Sequence, residues 1–167
     1  HDMLESLSIS KVMVVGHSMG GMLAARFATQ YPATTERLVL YNPIGLSDGR
    51  FSRPAANIDE AYKSRLGATY QSTRASLMRY VAHKPAAWNN EFERYARIRY
   101  GWTLGADWPR LAMVQTLISN VIYQDPVVYD WEHIQAPTLV FGGAEDILAG
   151  TAEVFRQRMK HISETIP

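Results

Sequence analysis

Three short apolar runs along the chain have the pattern of buried β-strands. They cover residues 11–15, 37–41 and 138–141. Short continuous runs of this kind are typical of strands that are covered on both faces of a parallel sheet. A helical pattern over about 20–30 separates the first two runs and ends at Tyr31-Pro32. These elements predict a strand–helix–strand unit with a right-handed crossover.

Between the second and third runs, the apolar residues follow helical spacing almost throughout. Helices are predicted near 59–66, 70–81, 88–99 and 107–121, the last with Asp107 as its cap, and a final amphipathic helix is predicted at about 152–162. We therefore expect an α/β protein in which two core segments, 1–44 and 133–167, enclose a helical insertion at 45–132.

Composition narrows the class of partner. Apolar residues make up 47% and charged residues 20% of the chain, as in ordinary globular proteins. The net charge of +1 favours neither nucleic acid nor an anionic membrane surface. No apolar stretch approaches the roughly 20 residues that span a bilayer. In the most basic stretch, 94–99, acidic neighbours are interleaved, and Glu93 and Arg97 at i,i+4 predict a solvated helix face.

The chain contains no cysteine. This excludes disulfides, thiolate metal ligands and a cysteine nucleophile. No pair of its histidines has metal-site spacing, so we expect no metal. We expect no cofactor either. The cellular compartment stays open between cytoplasm and periplasm, because the chain begins with His1 rather than methionine and its first residues resemble the end of a helix.

The most informative motif is G-H-S-M-G-G at 16–21, directly after the first apolar run. A strand, a G-x-S-x-G turn and a helix form a nucleophile elbow, which presents the Ser18 hydroxyl as a reactive group. We expect Gly16 and Gly20 to remove Cβ atoms that would collide in the turn, and Gly21 to let the helix pack closely. The Met19 N–H, at the helix N-terminus, is the expected first oxyanion donor.

A carboxylate follows the third predicted strand. Asp146 lies just past the end of that strand, as Ser18 lies past the end of the first. Functional groups gather at the carboxyl ends of parallel strands, and a catalytic triad needs a carboxylate to orient its histidine. Asp146 is the predicted triad acid, with Glu145 as the local alternative. An aspartate that only bonds its own turn is the other interpretation.

The order of these features resembles the α/β-hydrolase fold superfamily. The resemblance rests on the elbow serine, the helical insertion and the aspartate after P-T-L-V-F-G-G; Y-N-P-I-G-L at 41–46 and D-P-V-V-Y at 125–129 resemble a subset of bacterial members. It implies a partial α/β-hydrolase fold whose strands are the fifth to seventh of the family sheet, with 45–132 as the cap. It also implies Ser18 as nucleophile, Met19 as oxyanion donor and Asp146 as triad acid.

The catalytic base is the missing component. The family order places it after Asp146, where His161 is the one candidate in this sequence. His161 lies on a predicted amphipathic helix, whereas the family histidine occupies a loop after a strand. His17 is expected to pack or hydrogen-bond under the elbow, and His83 and His133 precede Asp146.

The resemblance therefore implies a base beyond Pro167 and a second oxyanion donor before His1. We expect the chain to be a fragment, inactive or nearly so by itself. We also expect it to be weakly stable or prone to aggregate. In the family topology one sheet face would lack its two helices, and the first and third strands would each lack a neighbouring strand.

The activity implied by the resemblance is hydrolysis of a carboxylic ester or related acyl compound through an acyl-enzyme, on a small, hydrophobic substrate. The cap would set substrate choice, and all four tryptophans lie in it or at its edge: Trp88, Trp102, Trp108 and Trp131. Two interpretations of these tryptophans stay open: they line an aromatic pocket for the substrate, or they pack small helices together. Two other functions stay open: a carbon–carbon bond hydrolase or perhydrolase with the same triad, and a non-catalytic ligand-binding relative that keeps the serine.

Overall fold

The computed structural model describes residues 1–82, 84–146 and 150–167. The chain divides into two compact units: His1–Asp48 with Pro126–Pro167, and Gly49–Asp125. The second unit begins later and ends earlier in the sequence than the insertion expected at 45–132. The strands are β1 (Val12–His17), β2 (Thr35–Tyr41) and β3 (Thr138–Phe141), and the helices are α1 (Asp2–Ser6), α2 (Met19–Gln30), α3 (Ile58–Leu66), α4 (Tyr70–Met78), α5 (Asn90–Gly101), α6 (Trp108–Gln124) and α7 (Ala152–Thr165).

In the first unit the three strands form a parallel sheet in the order β1-β2-β3. Helix α2 links β1 to β2, so the predicted strand–helix–strand unit is confirmed. On one sheet face Leu38 and Leu40 of β2 are fully buried, and α2 packs there through small side chains such as Ala24 and Ala25. Small residues on the inner face let the helix approach the strands closely.

The opposite sheet face is apolar and exposed. Register places Val15 of β1 beside Val39 of β2, and Val39 beside Leu139 of β3. Val15 is 70% and Leu139 59% accessible to solvent, and Met13 and Phe141 on the same face are also exposed. Parallel strands normally have both faces covered. This row is therefore a contiguous apolar surface on the first unit.

The segment after the helical unit is anchored to α2. Val127, Trp131 and Ile134 are completely buried. Arg26 of α2 forms an ion pair with Asp130, and both side chains are largely shielded from solvent. This fixed segment is followed by β3, which pairs with β2 from Thr138 onwards.

In the second unit the helices pack in pairs, α3 with α6 and α4 with α5. Their starts are capped by side chains of Asn57, Thr69 and Asn89, each of which accepts a backbone N–H of the first turn. Asp107 precedes α6, but its side chain makes no capping bond. The expected cap at that residue is therefore wrong, and its carboxylate lies 3.6 Å from Arg110 instead.

Glu93 on α5 does not form the expected pair with Arg97. Its Oε2 accepts hydrogen bonds from Arg74 Nε at 3.0 Å and from Trp88 Nε1 at 2.9 Å. The Arg74 guanidinium also lies over the Trp88 ring, 4.7 Å from its centroid. Because α4 packs against α5, Glu93 has a partly buried partner on the neighbouring helix, which a pattern within one helix cannot reveal.

Across the parts of the chain that the structure describes, no helix has both the length and the apolar character needed to cross a membrane.

Candidate active site

Ser18 lies in a strained turn between β1 and α2. Its backbone angles are φ 54° and ψ −120°, a sparsely populated combination that costs about 1–3 kcal/mol for a residue other than glycine. The Ser18 N–H donates to Tyr41 O at 3.1 Å, and Ser18 O accepts N–H groups from Gly21 at 3.0 Å and Ile44 at 3.1 Å. The turn is thus held both by its own helix and by the end of β2.

The glycines of the motif have unequal roles. A Cβ on Gly16 would lie 2.2 Å from Gly20 O and 2.7 Å from Ala24 Cβ, so Gly16 is required by the close approach of α2. A Cβ on Gly20 would meet nothing within 4 Å. The predicted collision is confirmed for Gly16 and wrong for Gly20. A Cβ on Gly21 would lie 2.7 Å from Pro43 Cβ, so Gly21 lets the helix pack against the segment after β2.

Met19 is the first residue of α2, a helix of 12 residues. The first N–H groups of a helix lack carbonyl partners within it and carry the positive end of its dipole. The Met19 N–H therefore belongs to a group of donors beside Ser18 that can stabilise a negative oxygen. Its role as oxyanion donor is consistent with this position and stays a prediction.

Asp146 lies in the loop that follows β3. Its N–H donates to Gly143 O at 3.0 Å, which closes a turn, and its Oδ2 accepts a hydrogen bond from Asn42 Nδ2. Asn42 Oδ1 in turn accepts the Gly143 N–H at 3.0 Å. The Asp146 side chain is therefore bonded to the end of β2, beyond its own turn. Its neighbour Glu145 is exposed.

A residue of α7 also holds this loop. Arg156 Nη1 donates to Ala144 O at 2.9 Å. The same guanidinium binds the Glu153 carboxylate through Nη2 at 2.9 Å and Nε at 3.3 Å. Hydrogen bonds from Arg156 and Gln157, together with the charge of Arg156, lower the pKa of Glu153 below its ordinary value of 4.5.

The structure thus places the predicted nucleophile and acid at the carboxyl edge of one sheet, Ser18 after β1 and Asp146 after β3. Asn42, which follows β2 between them, was not selected from the sequence as a site residue. A signal for it existed: an asparagine directly after a strand end, in the position where polar groups of parallel sheets gather. Its φ of 41° is one that asparagine tolerates better than most residues.

The described histidines make their contacts elsewhere. The His17 ring packs 4.8 Å from the Tyr41 ring, in line with the expectation that it packs beside the elbow. The His161 Nδ1 lies 3.5 Å from Thr165 Oγ1 on α7, and His133 lies 3.8 Å from Glu132. In the described ranges no histidine is hydrogen-bonded to Ser18. His83 lies outside the described residues.

One group of possible metal ligands occurs in the described part of the chain. The ligand atoms of His1, Asp2 and Glu5 lie within 4.8 Å of one another, and all three residues are exposed, His1 directly before α1 and the other two on it. The His1 ring also stacks on Tyr31 at 4.3 Å. Exposed side chains of this kind occur commonly without an ion, so we assign no metal to them.

A parallel sheet with a strained serine turn at the start of a helix is typical of the α/β-hydrolase class. The family model described as the alpha/beta hydrolase family matches residues 1–166. The chain therefore belongs to the alpha/beta hydrolase family.

Solved structures agree with this assignment. A probable hydrolytic enzyme from Pseudomonas aeruginosa PAO1 is 34% identical, with a TM-score of 0.84 over 100% of this chain and 57% of that one. A meta-cleavage product hydrolase from Pseudomonas fluorescens IP01 is 20% identical, with a TM-score of 0.64 over 99% of this chain and 56% of that one, and shows likeness of fold alone.

A curated relative matches a shorter stretch. A 2-hydroxy-6-oxononadienedioate/2-hydroxy-6-oxononatrienedioate hydrolase from Comamonas testosteroni is 44% identical over 50 residues, which are 30% of this chain and 18% of that protein. The chain itself spans only a little over half the length of the solved structures, 57% and 56%.

Proposed function

We propose that the protein containing this chain is a serine hydrolase that cleaves a carboxylic ester or related acyl compound through an acyl-enzyme. The observation that carries the proposal is Ser18, held at φ 54° between the end of β1 and the first residue of α2. A hydroxyl at this point is presented beside the N-terminal N–H groups of a helix. That is the arrangement a nucleophile and an oxyanion require.

The proposed reaction has two steps. A base takes the Ser18 proton, Ser18 Oγ attacks the substrate carbonyl, and the Met19 N–H donates to the oxygen that becomes negative. The tetrahedral species breaks its bond to the alcohol oxygen, which takes the proton from the base, and an acyl-serine is left. The base then takes a proton from water, whose oxygen attacks the acyl-serine, and it gives this proton to Ser18 Oγ as the acid is released. Asp146 orients the base and stabilises its protonated form.

We place the base outside residues 1–167. The support is that the rings of His17, His133 and His161 lie beside Tyr41, Glu132 and Thr165. The solved relative that is 34% identical is also longer, since this chain covers 57% of it. The second oxyanion donor is proposed to come from that remainder as well.

The helical unit Gly49–Asp125 is proposed to select the substrate. Of the four tryptophans, Trp108 and Trp131 are buried and Trp88 stacks on Phe92, so these three pack the fold. Trp102 is 53% exposed. It is the tryptophan available to a hydrophobic acyl or alcohol group.

A second candidate is hydrolysis of a carbon–carbon bond by the same residues. The observation that favours it is the set of relatives named as hydrolases of 2-hydroxy-6-oxo dienoates, matched at 44% and 30% identity over 50 and 76 residues. A panel that includes p-nitrophenyl esters and a 2-hydroxy-6-oxodienoate would separate the two activities by their relative kcat/KM.

The test is covalent labelling of the whole protein with a fluorophosphonate. We expect the label on Ser18 by peptide mapping, and loss of both label and activity in Ser18→Ala. Ser8→Ala is the matched control, because Ser8 also has a positive φ, 57°, but lies outside the elbow. A protein that binds ligands but resists labelling would identify a non-catalytic relative. Ser18-dependent ester hydrolysis by residues 1–167 alone would overturn the proposed origin of the base.

A further inference from the structure

Asn42 lies where the ends of all three strands are connected. Its N–H donates to Phe141 O at 2.9 Å, beside the last residue pair of β2 and β3. The residues around it bond to the elbow: Tyr41 O accepts the Ser18 N–H, and Ile44 N–H donates to Ser18 O, both at 3.1 Å. The backbone around Asn42 is therefore fixed to the nucleophile turn on one side and to β3 on the other.

The carboxamide of Asn42 extends this connection to the acid loop. Its Nδ2 donates to Asp146 Oδ2, and its Oδ1 accepts the Gly143 N–H at 3.0 Å. An ionised carboxylate can only accept and a backbone N–H can only donate, so the two partners fix the direction of the amide. The bond to the carboxylate is also of the stronger, charge-assisted kind.

The residue type at this position meets two demands at once. The φ of 41° is tolerated by asparagine, aspartate and glycine better than by other residues. Glycine would adopt this backbone without any side-chain bond, and aspartate would adopt it without a donor for Asp146. Asparagine supplies the backbone conformation, the donor and the acceptor together.

We propose that Asn42 is a positioning residue, which holds the Asp146 carboxylate at the carboxyl edge of the sheet in a fixed relation to Ser18. The inference rests on the proposed function, in which Asp146 orients the catalytic base. It assigns a role to the Y-N-P-I-G-L segment, because this segment bonds to the nucleophile turn through its backbone and to the acid through its side chain.

The experiment measures ester hydrolysis by the whole protein carrying Asn42→Gly or Asn42→Asp. Asn42→Gly keeps the backbone conformation and removes the carboxamide. We expect kcat to fall about 10-fold to 100-fold, as for loss of one hydrogen bond to a charged group, with KM changed less than about twofold. Asn42→Asp keeps the shape but sets a carboxylate against Asp146, and we expect a loss at least as large.

Two controls isolate the route of the effect. Ser8→Gly places glycine at another positive φ, 57°, and we expect unchanged kcat. The second control compares the Asp146→Ala variant with the double variant Asp146→Ala/Asn42→Gly. Their kcat values should differ by less than about twofold, because a residue that acts through Asp146 has no effect once Asp146 is gone. A merely structural role would lower kcat by the same factor in both backgrounds.

Either of two results overturns the inference: wild-type kcat in Asn42→Gly and Asn42→Asp, or an undiminished loss in the Asp146→Ala background. If Asn42→Gly fails to fold, Asn42→Asp replaces it, because aspartate keeps the size and backbone preference of asparagine. Its effect on kcat is then compared in the wild-type and Asp146→Ala backgrounds in the same way. Failure of the proposed function is recognised separately, because the unsubstituted protein would then show no Ser18-dependent activity, and the inference would fall with it.

Discussion

A Cβ atom on Gly16 would lie 2.2 Å from the carbonyl oxygen of Gly20, whereas a Cβ on Gly20 would meet nothing within 4 Å. The two glycines of the serine motif are therefore present for different reasons. The end of β1 passes so close to the first turn of α2 that only hydrogen fits at Gly16. No such contact explains Gly20, whose surroundings in the described structure have space for a methyl group.

This asymmetry predicts opposite effects for two equal substitutions. Gly16→Ala forces a methyl group into backbone atoms and should destabilise the protein by about 3 kcal/mol or more. Gly20→Ala places a better helix former in the first turn of α2 and should change stability by no more than about 1 kcal/mol, in the stabilising direction. Urea unfolding of the two variants measures both. Equal destabilisation would contradict the steric explanation.

The exposed sheet face predicts the behaviour of residues 1–167 expressed by themselves. Its apolar row includes Met13, Val15, Leu139 and Phe141, and a contiguous exposed apolar patch of this kind promotes association. We expect the chain to bind the dye ANS and to self-associate at micromolar concentration. Sedimentation and dye fluorescence measure this directly.

A matched pair of variants tests the origin of the association. Val15→Lys with Leu139→Lys puts two charges on the exposed face and should reduce dye binding and association several-fold. Leu66→Lys with Leu104→Lys adds the same charges in the helical unit, where both leucines are also exposed, and should have a smaller effect. Equal reduction by both pairs would show that net charge, rather than this face, controls association.

Features that depend on neighbouring residues in the chain were predictable. The strand at 11–15 and its glycine-serine turn are a local pattern, and the structure places β1 at Val12–His17 with α2 starting at Met19. The strained φ of Ser18 follows from the same pattern. A sharp strand-to-helix turn has few backbone solutions, so a short sequence determines it.

Contacts between distant segments were not predictable in the same way. Asn42 and Asp146 are 104 residues apart, and their hydrogen bond exists only because β2 and β3 are neighbours in the sheet. For Glu93, the i,i+4 spacing favoured Arg97, but Arg74 on the packed neighbouring helix bonds to it instead. The choice between such partners depends on helix packing and burial, which periodicity does not specify.

The hydrogen bonds made by Glu93 predict that replacing it destabilises the protein more than replacing Glu91, which lies in the same helical turn. Glu93→Ala removes the acceptor of Arg74 and Trp88 in a partly buried setting and should cost about 2–3 kcal/mol. Glu91→Ala is the matched control: it also lies in the first turn of α5, but it accepts only an exposed bond from Tyr95 among the contacts recorded. Glu91→Ala should lower the free energy of unfolding by less than about 1 kcal/mol. Chemical denaturation of both variants gives the comparison, and similar costs would mean that the helix dipole dominates.

The Glu153–Arg156 pair gives the stability of the protein a pH-dependent component. Because Arg156 and Gln157 lower the pKa of Glu153 in the folded state, this carboxylate favours folding above its ordinary pKa of 4.5, and the contribution is lost as the pH falls through the lowered value. The Tm difference between wild type and Glu153→Gln should therefore shrink as the pH falls from 7 to 3.

In NMR titrations, Arg156→Met should raise the pKa of Glu153 towards 4.5, whereas Lys160→Met, on the same helix, should not. An unchanged pKa of Glu153 in Arg156→Met would show that the guanidinium is not its cause.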